Sequence, residues 1–313
     1  MIRTGILGDQ QQCEKIIKDL RSISAIKLVG FCDSNSHQNI TSDLERFMVP
    51  EQLLGHVDAV IALNPMSGLS QIKDYVRQSK HVLFQPNQHY STREATSLVS
   101  IIDEANVKVQ AGFDKRYHQA FLATKPFIKD PKLIVSNHYI NLANDNTNVS
   151  VLTDLLLHDL DLVLSLIKSD IRNIEATSVS IDHSSPDFIN ARVEFNNRCV
   201  AQFNAGRIST SEKNEIFFFN QNHYLYADIL NNKASIVKKK KKNDHYGLFH
   251  SVKGNLICDP IPINNSTSSD NAFNAFANAI LQDKTPDVNI ESMMRTYQVA
   301  MVIQEKLKVH AHA

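Results

Sequence analysis

The sequence predicts two domains of different class. The first is an α/β domain with a doubly wound parallel sheet, and the second is an α+β domain with an open, mainly antiparallel sheet covered by helices. Up to about Lys115, short β-rich runs alternate with helical patterns, which is the order typical of parallel sheets. Beyond it, strand-like runs follow one another directly. The length of 313 residues allows two sizeable cores, and we expect domains at 1–118 and 119–313.

The first domain opens with a βαβ unit. A β-rich run at 3–7 ends at Gly8, a helical pattern containing Ile16, Ile17 and Leu20 follows, and a second strand covers 26–32. The alternation then continues with strands at 59–63, 81–84 and 107–113 and helices at 70–79 and 91–105. This arrangement predicts a Rossmann-like domain.

The ends of the first two strands favour a bound dinucleotide. Asp33 follows the second strand, where a carboxylate accepts hydrogen bonds from the adenosine ribose and disfavours a 2′-phosphate, so NAD is preferred to NADP. The phosphate loop is less complete. The three glycines of the G-x-G-x-x-G pattern correspond to Gly8, Gln10 and Cys13, so only the first is present. The Gln10 side chain must either turn away or keep the pyrophosphate from approaching the backbone. A doubly wound domain that has lost its nucleotide is the alternative.

The second domain combines one long helix with a run of strands. Pro126 and Pro131 punctuate the connection to a leucine-rich helix at 149–167. Successive strands are predicted at 176–181, 191–195, 199–205, 215–220 and 224–228. Two helices, at 271–282 and 291–307, are separated by Pro286.

The leucine-rich helix carries ionisable groups at helical spacing. Asp154, His158 and Asp161 are predicted to share one face of a regular helix. A carboxylate beside an imidazole can fix its tautomer and raise its pKa, which suits proton transfer near neutral pH. An amphipathic helix with a solvated edge is the simpler alternative.

Composition and charge exclude several classes of function. Basic and acidic residues balance at 33 each, which gives no overall case for nucleic acid or an anionic membrane. The start lacks a signal-peptide pattern, so a cytoplasmic protein is expected. Four scattered cysteines argue against a zinc site or disulfides. The lysine run at 238–242 is interpreted as a solvated hairpin tip.

Several local motifs together resemble the Gfo/Idh/MocA family of nicotinamide-dependent oxidoreductases over essentially the whole chain. Asn64-Pro65 looks like the family's threonine- or asparagine-proline at the cofactor. The segment 112–117, Gly-Phe-Asp-Lys-Arg-Tyr, looks like its glycine-phenylalanine…arginine-aromatic segment. The family also carries an aspartate four residues before a histidine, usually with another aspartate three residues on, as at Asp154, His158 and Asp161.

The resemblance implies hydride transfer between NAD(P) and a hydroxyl or carbonyl carbon of a sugar, cyclitol or similar small polyol, with a lysine and the helix histidine moving the proton. Here the family's glutamate-lysine-proline reads Phe84-Gln85-Pro86, so Gln85 replaces the lysine. An amide can polarise an oxygen but cannot donate a full proton, so Lys115, Tyr117 and Tyr139 are considered as substitutes.

The expected site follows from this resemblance. His158 moves the proton, Asp154 orients its ring and Gln85 polarises the oxygen. The other assignments are Asp161, Arg116 and Tyr117 on the substrate side, and Gly8, Gln10, Asp33, Asn64, Pro65 and Pro86 at the cofactor. No metal is expected. Arginine at such a junction is as often part of a structural ion pair.

Two alternatives to a dehydrogenase are considered, and an oligomer is expected. A catalytically impaired relative could serve as a nucleotide or sugar binder or as a scaffold, because both Gln85 and the phosphate loop depart from the family pattern. The His158-Asp159 pair also occurs in helical metal-dependent phosphohydrolases, but the βαβ start argues against that fold. Members of the family commonly pair through the antiparallel sheet, so a homodimer or homotetramer is expected.

Overall fold

The computed structural model describes residues 1–33, 44–63, 65, 68–86, 90–112, 114–141, 150–181, 185–239, 251–253 and 255–310. The chain forms two compact units. Unit 1 contains Met1–Asp114 and Thr267–Tyr297, and unit 2 contains Lys115–Ser266 and Gln298–Ala313. The expected division between residues 118 and 119 stays a prediction. The sequence did not indicate that Thr267–Tyr297 groups with the N-terminal segment.

Unit 1 is built on a six-stranded parallel sheet, as predicted. Its strands are β1 (Ile2–Gly8), β2 (Ile26–Asp33), β3 (Glu45–Phe47), β4 (Ala59–Ala62), β5 (His81–Phe84) and β6 (Val109–Ala111). Between them lie α1 (Gln10–Leu20), α2 (Pro50–Leu54), α3 (Leu69–Arg77) and α4 (Thr92–Ala105). The short elements β3 and α2 were not predicted. Both are too brief to show a period in the sequence.

The strand order of this sheet creates a switch point. The order is β3-β2-β1-β4-β5-β6, so the chain reverses direction across the sheet between β1 and β4. In doubly wound sheets the connections leave the carboxyl ends of two such strands in opposite directions and open a crevice there. Gly8 ends β1 at this edge and pairs in register with Asp33 of β2.

A helix from late in the chain completes the core of unit 1. The buried face of α1 presents Cys13, Ile17 and Leu20 at helical spacing. These side chains share one cluster with Phe273 and Phe276, which belong to α7 (Ser268–Leu281). Each large buried apolar side chain contributes about 1.5 to 3 kcal/mol. The early strands therefore depend on a late helix for part of their core.

Unit 2 carries a nine-stranded sheet. Its order is β14-β15-β13-β12-β11-β7-β10-β9-β8, and every pair is antiparallel except β7 with β10. The bounds are β7 (Leu133–Asn141), β8 (Ile171–Val179), β9 (Phe188–Phe195), β10 (Val200–Ser209), β11 (Lys213–Phe219), β12 (His223–Asp228), β13 (Lys233–Lys239), β14 (Ser251–Lys253) and β15 (Leu256–Pro260). This confirms the predicted mainly antiparallel sheet, although the central strand β7 was not predicted.

One face of this sheet is covered by helices. The short helix α5 (Gln119–Thr124) packs on β12 and β13, and the helical segment that begins at Val151 packs on β9 and β10. Ile134, Phe203 and Phe218 are buried beneath them. The opposite face is half-buried and aromatic. The last helix, α8 (Ile290–His310), ends the described chain.

The leucine-rich helix is not regular throughout. Its first turn, Val151–Leu156, is a π-helix, and only then does α6 (Leu157–Leu166) begin. Ser150 caps the turn by accepting a hydrogen bond from the Thr153 N–H at 3.4 Å. The prediction of a single regular helix was therefore wrong at its start. A π-turn alters the angular spacing on which the shared-face prediction rested.

Two further expectations concern surfaces. The lysine run at 238–242 continues past the end of β13 into residues outside the described ranges, and Lys238 Nζ lies 2.9 Å from Asp259 Oδ2. In the described part of the chain, no helix combines the length and apolar character needed to cross a membrane.

Candidate active site

The first candidate region lies where β1 passes into α1. A Cβ on Gly8 would lie 2.9 Å from Leu63 Cβ, so close packing by itself requires glycine here. Asp9 is the N-cap of α1, and its carboxylate accepts a hydrogen bond from the Gln12 N–H at 3.0 Å. Asp9 was not predicted as a site residue, although an aspartate just before a helical pattern is an ordinary cap signal. Its charge occupies the helix end that dinucleotide folds offer to a pyrophosphate.

Part of the expected cofactor site is described at this edge of the sheet. Asp33, the residue expected to bind the ribose, pairs in register with Gly8. It therefore lies on the strand beside the β1–α1 turn. Pro65 is buried and its carbonyl accepts from the Gly68 N–H at 2.9 Å. Asn64 and the side chains of Gln10 and Asp33 lie outside the described residues. Asp9 sets a carboxylate at the helix end where a pyrophosphate would bind.

Gln85 follows β5 and lies against a glycine. Its N–H donates to the Ala62 carbonyl at 3.0 Å, and the Gly112 N–H donates to the Phe84 carbonyl at 2.7 Å. A Cβ on Gly112 would lie only 2.5 Å from Gln85 Oε1. Gly112 therefore makes the space that the Gln85 amide occupies. Pro86, the next residue, is half-buried.

The second candidate region is a buried polar cluster in unit 2. Lys115 lies in a 3-10 turn, Asp114–Tyr117. Its Nζ donates to Asp159 Oδ1 and to Asn214 Oδ1 at 3.0 Å, and it lies 3.1 Å from His138 Nδ1. The exposed fraction is 12% for the Lys115 side chain and 1% for that of Asp159. Two of the ammonium hydrogens therefore have oxygen acceptors, and His138 lies beside the same group. From the sequence, Lys115 was considered as a substitute for the missing lysine and Asp159 only as part of the His158-Asp159 pair, while His138 and Asn214 were given no role.

Burial and charge shift the titration of this cluster. Burial lowers the pKa of Lys115, and the neighbouring Asp159 carboxylate opposes that effect. Burial alone would raise the pKa of Asp159, but the charge of Lys115 and the nearby His138 outweigh it and hold the pKa below its usual range. Asp159 is thus a carboxylate at neutral pH, and Lys115 is its counterion.

His158 is neutral at physiological pH, contrary to the expectation that a carboxylate would raise its pKa. The pKa of His158 is lowered to about 4. Burial has the largest effect and the charge of Lys115 adds to it, while Asp159 and Asp154 act in the opposite direction. Asp154 does raise the pKa, but its effect is outweighed by the lowering that burial and Lys115 cause. The positive charge of Lys115 was not foreseen, and desolvation disfavours an imidazolium.

Arg116 and Asp161 form a buried ion pair. Arg116 Nε lies 2.5 Å from Asp161 Oδ2, and Nη2 lies 2.5 Å from Oδ1. The exposed fractions of the two side chains are 9% and 0%. The geometry favours the structural alternative for Arg116 over contact with substrate, and Asp161 likewise faces an internal partner. Tyr117, the next residue, is buried.

Asp154 is exposed and binds the start of its own helix. Oδ2 accepts from the Ser150 N–H at 2.6 Å, and Oδ1 accepts from the Thr153 hydroxyl at 3.4 Å. Asp154 is exposed, His158 is half-buried and Asp161 is fully buried. The three side chains therefore descend from the surface into the core and have different surroundings.

Tyr139 is separated from the cluster by the sheet. It follows His138 on β7, and successive residues of a strand point to opposite faces. The Tyr139 hydroxyl donates to Asn137 Oδ1 at 3.4 Å, and its ring stacks on Phe188 with centroids 6.1 Å apart. Burial raises the pKa of Tyr139. Its position does not favour a role beside His158.

The His158-Asp159 pair was considered as part of a metal site. In the structure, the Asp159 carboxylate forms an ion pair with Lys115. Among the residues that the structure describes, no group of three His, Cys, Asp or Glu side chains is arranged to hold a metal ion.

The parallel switch-point sheet and the helix-covered antiparallel sheet define a two-domain fold that is shared with solved dehydrogenases. No protein-family model matches the chain. In sequence, the chain is similar to UDP-N-acetylglucosamine 3-dehydrogenase of Acidithiobacillus ferrooxidans, with 26% identity over 242 residues, or 75% of this chain and 76% of that protein.

Solved structures extend the likeness to nearly the whole chain. A structure of the same Acidithiobacillus ferrooxidans enzyme matches with a TM-score of 0.87 and 20% identity, covering 98% of each chain. Scyllo-inositol dehydrogenase from Lactobacillus casei, solved with NAD(H) and scyllo-inositol, matches with a TM-score of 0.74 and 17% identity, covering 99% of this chain and 98% of that one. At these identities, the solved structures establish the fold.

Proposed function

We propose that the protein is an NAD-dependent oxidoreductase that transfers hydride to or from a hydroxyl-bearing or carbonyl carbon of a sugar, cyclitol or similar polyol. The observation that carries this proposal is the switch point of the parallel sheet. Gly8 ends β1 there, with Asp33 in register beside it. The similarity to a UDP-N-acetylglucosamine dehydrogenase over three quarters of the chain supports the substrate class.

The cofactor would be held at the carboxyl edge of the parallel sheet. The β1–α1 turn, Asn64-Pro65 and Pro86 would line it, and the Asp33 carboxylate would accept from the adenosine ribose hydroxyls. A bound nicotinamide supplies the acceptor or donor of hydride. Because a carboxylate at the ribose disfavours a 2′-phosphate, NAD is preferred to NADP.

The substrate hydroxyl would meet a neutral imidazole. With a pKa of about 4, His158 is neutral at pH 7 and can accept a hydrogen bond from the hydroxyl, although it is a weaker proton acceptor than an exposed imidazole. The Gln85 amide would donate a hydrogen bond to a substrate oxygen. The ion pair of Arg116 and Asp161 would hold in place the segment that carries Lys115 and Tyr117. This structural role replaces the contact with substrate that was expected for Arg116 and Asp161.

The first experiment is a fluorescence titration of the purified protein with NADH and, separately, NADPH. The chain contains no tryptophan, so energy transfer from indole does not complicate the signal. Saturable binding of NADH with much weaker binding of NADPH supports the proposal. An Asp33→Ala variant should lose the preference, whereas Asp103→Ala, in α4, should keep it. Lack of binding to both nucleotides contradicts the proposal.

Turnover is tested with two candidate substrates that carry hydroxyl groups. UDP-N-acetylglucosamine and scyllo-inositol would be assayed by NADH formation, with His158→Ala as the inactive control. Loss of a positioned proton acceptor costs about 10²- to 10⁴-fold in rate. Asp154→Ala is the matched variant, since Asp154 is exposed and bound to Ser150 and Thr153. A large rate loss for Asp154→Ala alone would reassign the proton acceptor.

The second candidate function is a non-catalytic nucleotide or sugar binder. Two observations favour it, namely an amide in place of lysine at Gln85 and a carboxylate at the phosphate end of α1. A Gln85→Lys variant separates the two functions. If Gln85 impairs an intact site, the variant should gain about 10²-fold or more in turnover. Binding of UDP-N-acetylglucosamine without turnover in either form would support the binder.

We also propose that a second copy of the chain covers the open face of the nine-stranded sheet. Phe217, Phe219, Tyr224 and Tyr226 form a half-buried aromatic patch on that face, with Phe217 and Tyr226 centroids 5.0 Å apart. A row of hydrogen-bonded side chains crosses the strands beside it, joining Asn190, Asn204, Asn137, Glu215 and Tyr226. An apolar patch rimmed by polar groups is a feature of interaction surfaces, and a formal net charge of zero does not oppose self-association.

The oligomeric state tests this pairing. Light scattering on a sizing column should give at least twice the mass of 35.3 kDa. A Phe217→Glu variant should give the monomer mass, whereas Leu281→Glu, at an exposed position in α7, should not change it. A monomeric wild-type protein contradicts the pairing.

A further inference from the structure

A cavity lies at the outer edge of the parallel sheet, away from the crevice proposed for the cofactor. Its volume is about 280 Å³, and it is lined by the C-terminal part of α4, by residues 107–109 and by the segment that leads into α8. All of these residues belong to unit 1. The strand order sets β6 three strands from β1, which is roughly 14 Å at about 4.8 Å per strand. The cavity is therefore separate from the switch point.

The cavity lining includes a peptide group that the sheet leaves unpaired. β6 is an edge strand, and its bonds to β5 use the groups of alternate residues, such as the Lys108 carbonyl and the Gly112 N–H. Val109 and Ala111 therefore turn their peptide groups outward. The Ala111 N–H donates to the Val288 carbonyl at 2.8 Å, but within the described part of the chain no hydrogen bond reaches the N–H or C=O of Val109, a residue that is 2% exposed. Buried peptide groups are rarely left unpaired, so Val109 points to a ligand that offers both an acceptor and a donor.

Charged side chains of both signs line the same cavity. Asp103 of α4 and Glu291 of α8 are its acidic groups, and Lys108 is its basic group. Lys108 Nζ lies 2.7 Å from Asp283 Oδ1, but the Asp283 side chain is 76% exposed while that of Lys108 is 14% exposed. An exposed carboxylate holds its partner weakly, and an ammonium has three hydrogens to donate. Lys108 can therefore also bind a carboxylate in the cavity, while the two acidic side chains suit an ammonium.

The rest of the lining is largely apolar. Its buried members are Val107, Val109, Pro286 and Ile290, and its half-buried members are Val99 and Ile102. Such a surface suits an aliphatic group. At about 30 Å³ for each water molecule, the cavity corresponds to roughly nine waters. This size matches a small amino acid and is too small for a dinucleotide or a sugar nucleotide.

We propose that this cavity binds a free aliphatic α-amino acid, whose carboxylate lies at Lys108 and the Val109 N–H. The ammonium of the ligand lies at Asp103 and Glu291, and the Val109 carbonyl accepts from it. This site goes beyond the proposed function, because its ligand is neither the substrate nor the cofactor. The first residue of a peptide carries the same ammonium and side chain and can pair with an edge strand, but it lacks the free α-carboxylate.

The experiment is a calorimetric titration of the cofactor-free protein with L-leucine, together with the NMR signal of the Val109 amide, assigned from a Val109→Ile variant. Leucine should bind saturably, and the Val109 N–H should exchange more slowly with solvent in its presence. Isoamylamine lacks the carboxylate and isocaproate lacks the ammonium. Each should bind about tenfold more weakly or worse, because a hydrogen bond to a charged group contributes about that factor.

Variants separate the two ends of the ligand. Lys108→Met should weaken leucine about tenfold and leave isoamylamine unchanged, whereas Glu291→Gln should weaken both. Ile102→Trp fills the cavity from the half-buried side of α4 and should abolish binding. Lys125→Met, at an exposed lysine in unit 2, is the matched control and should bind leucine as the wild type does.

Three results would overturn the proposal. The first is the absence of saturable leucine binding at millimolar concentration. The second is equal affinity for leucine and isoamylamine, which would make the cavity a site for cations alone. The third is tighter binding of leucyl-glycine than of leucine, which would make the ligand a peptide end. All of these titrations are done without NADH, so their outcome is independent of whether the proposed oxidoreductase function holds.

Discussion

Arg116 and Asp161 meet in a two-point ion pair whose N–O distances are both 2.5 Å, with side-chain exposures of 9% and 0%. The guanidinium comes from the segment between β6 and α5, and the carboxylate comes from the buried side of α6. Their geometry matches the planar fork that arginine presents to a carboxylate. A pair so placed fixes the backbone on either side of it.

Breaking this pair should destabilise the protein strongly. Asp161→Asn leaves Arg116 charged and buried, and we expect a loss of about 3 to 5 kcal/mol in the free energy of unfolding. Urea denaturation followed by circular dichroism measures it. Asp74→Asn, which removes an exposed ion pair with Arg77, is the matched control and should cost less than about 1 kcal/mol. Equal losses in the two variants would contradict the assignment.

Removing the charge at the start of α1 should improve cofactor binding. Asp9→Ser keeps a capping side chain but withdraws a carboxylate from the phosphate end of the helix. We expect NADH to bind roughly two- to tenfold more tightly, in line with the strength of charge effects at helix ends. The titration of NADH fluorescence provides the measurement.

The comparison for Asp9 is a cap elsewhere in unit 1. Ser91→Ala removes the capping box of α4 and should leave NADH affinity unchanged. If Asp9→Ser weakens binding instead, the carboxylate contributes to the nucleotide site rather than opposing it.

A methyl group on Gly112 should displace Gln85. The Cβ of Gly112→Ala would lie 2.5 Å from Gln85 Oε1, so the amide must rotate away. Because a flexible side chain can yield, we expect a stability loss of only about 1 kcal/mol. Turnover should fall if the Gln85 amide polarises the substrate oxygen, and NADH affinity should not. Steady-state kinetics and the fluorescence titration distinguish these effects.

The control for Gly112→Ala is Gly55→Ala, where the nearest atom to an added Cβ is Gln52 O at 3.5 Å. That variant should behave as the wild type in both measurements. Unchanged turnover in Gly112→Ala would remove Gln85 from the proposed chemistry.

Stability should fall as the pH drops below neutrality because of His158. The unfolded chain binds a proton at this imidazole near pH 6.5, whereas the folded protein does so only near pH 4. As the pH falls from 6.5 to 4, the free energy of unfolding therefore decreases by up to about 3 kcal/mol. Above pH 6.5 this imidazole has no effect on stability. Urea midpoints at pH 7 and pH 4.5 measure the loss.

His158→Gln should make this pH dependence shallower without abolishing it. Burial also lowers the pKa of His81 and His118, so both add to the loss in the same direction. An equally steep dependence in His158→Gln would show that the imidazole is not desolvated.

The sequence predicted the parallel sheet closely because its strands are apolar runs bounded by helical patterns. It did not reveal β7, although this strand lies at the centre of the second sheet. Ser136 and His138 occupy the helix-covered face of β7, so the usual alternation of apolar and polar residues is absent. A strand with polar residues on both faces carries no period-2 signal.

The cluster around Lys115 was missed for a related reason. The three- and four-residue spacing drew attention to Asp154 and Asp161 and passed over Asp159, which an ideal helix would turn away from them. His138 lies on the strand that was not predicted, and Asn214 on another. Only the pairing of β7 with β11 sets His138 opposite Asn214. Contacts between side chains so distant in sequence depend on register, which composition and spacing do not specify.

The return of Thr267–Tyr297 to unit 1 has a consequence during synthesis of the chain. Residues 1–114 leave the ribosome first, yet Phe273 and Phe276 of their core are made only after all of 115–266. Part of the apolar face of the parallel sheet therefore stays uncovered while the segment that forms the nine-stranded sheet is translated. That interval is when the nascent chain is most exposed to aggregation and most in need of a chaperone.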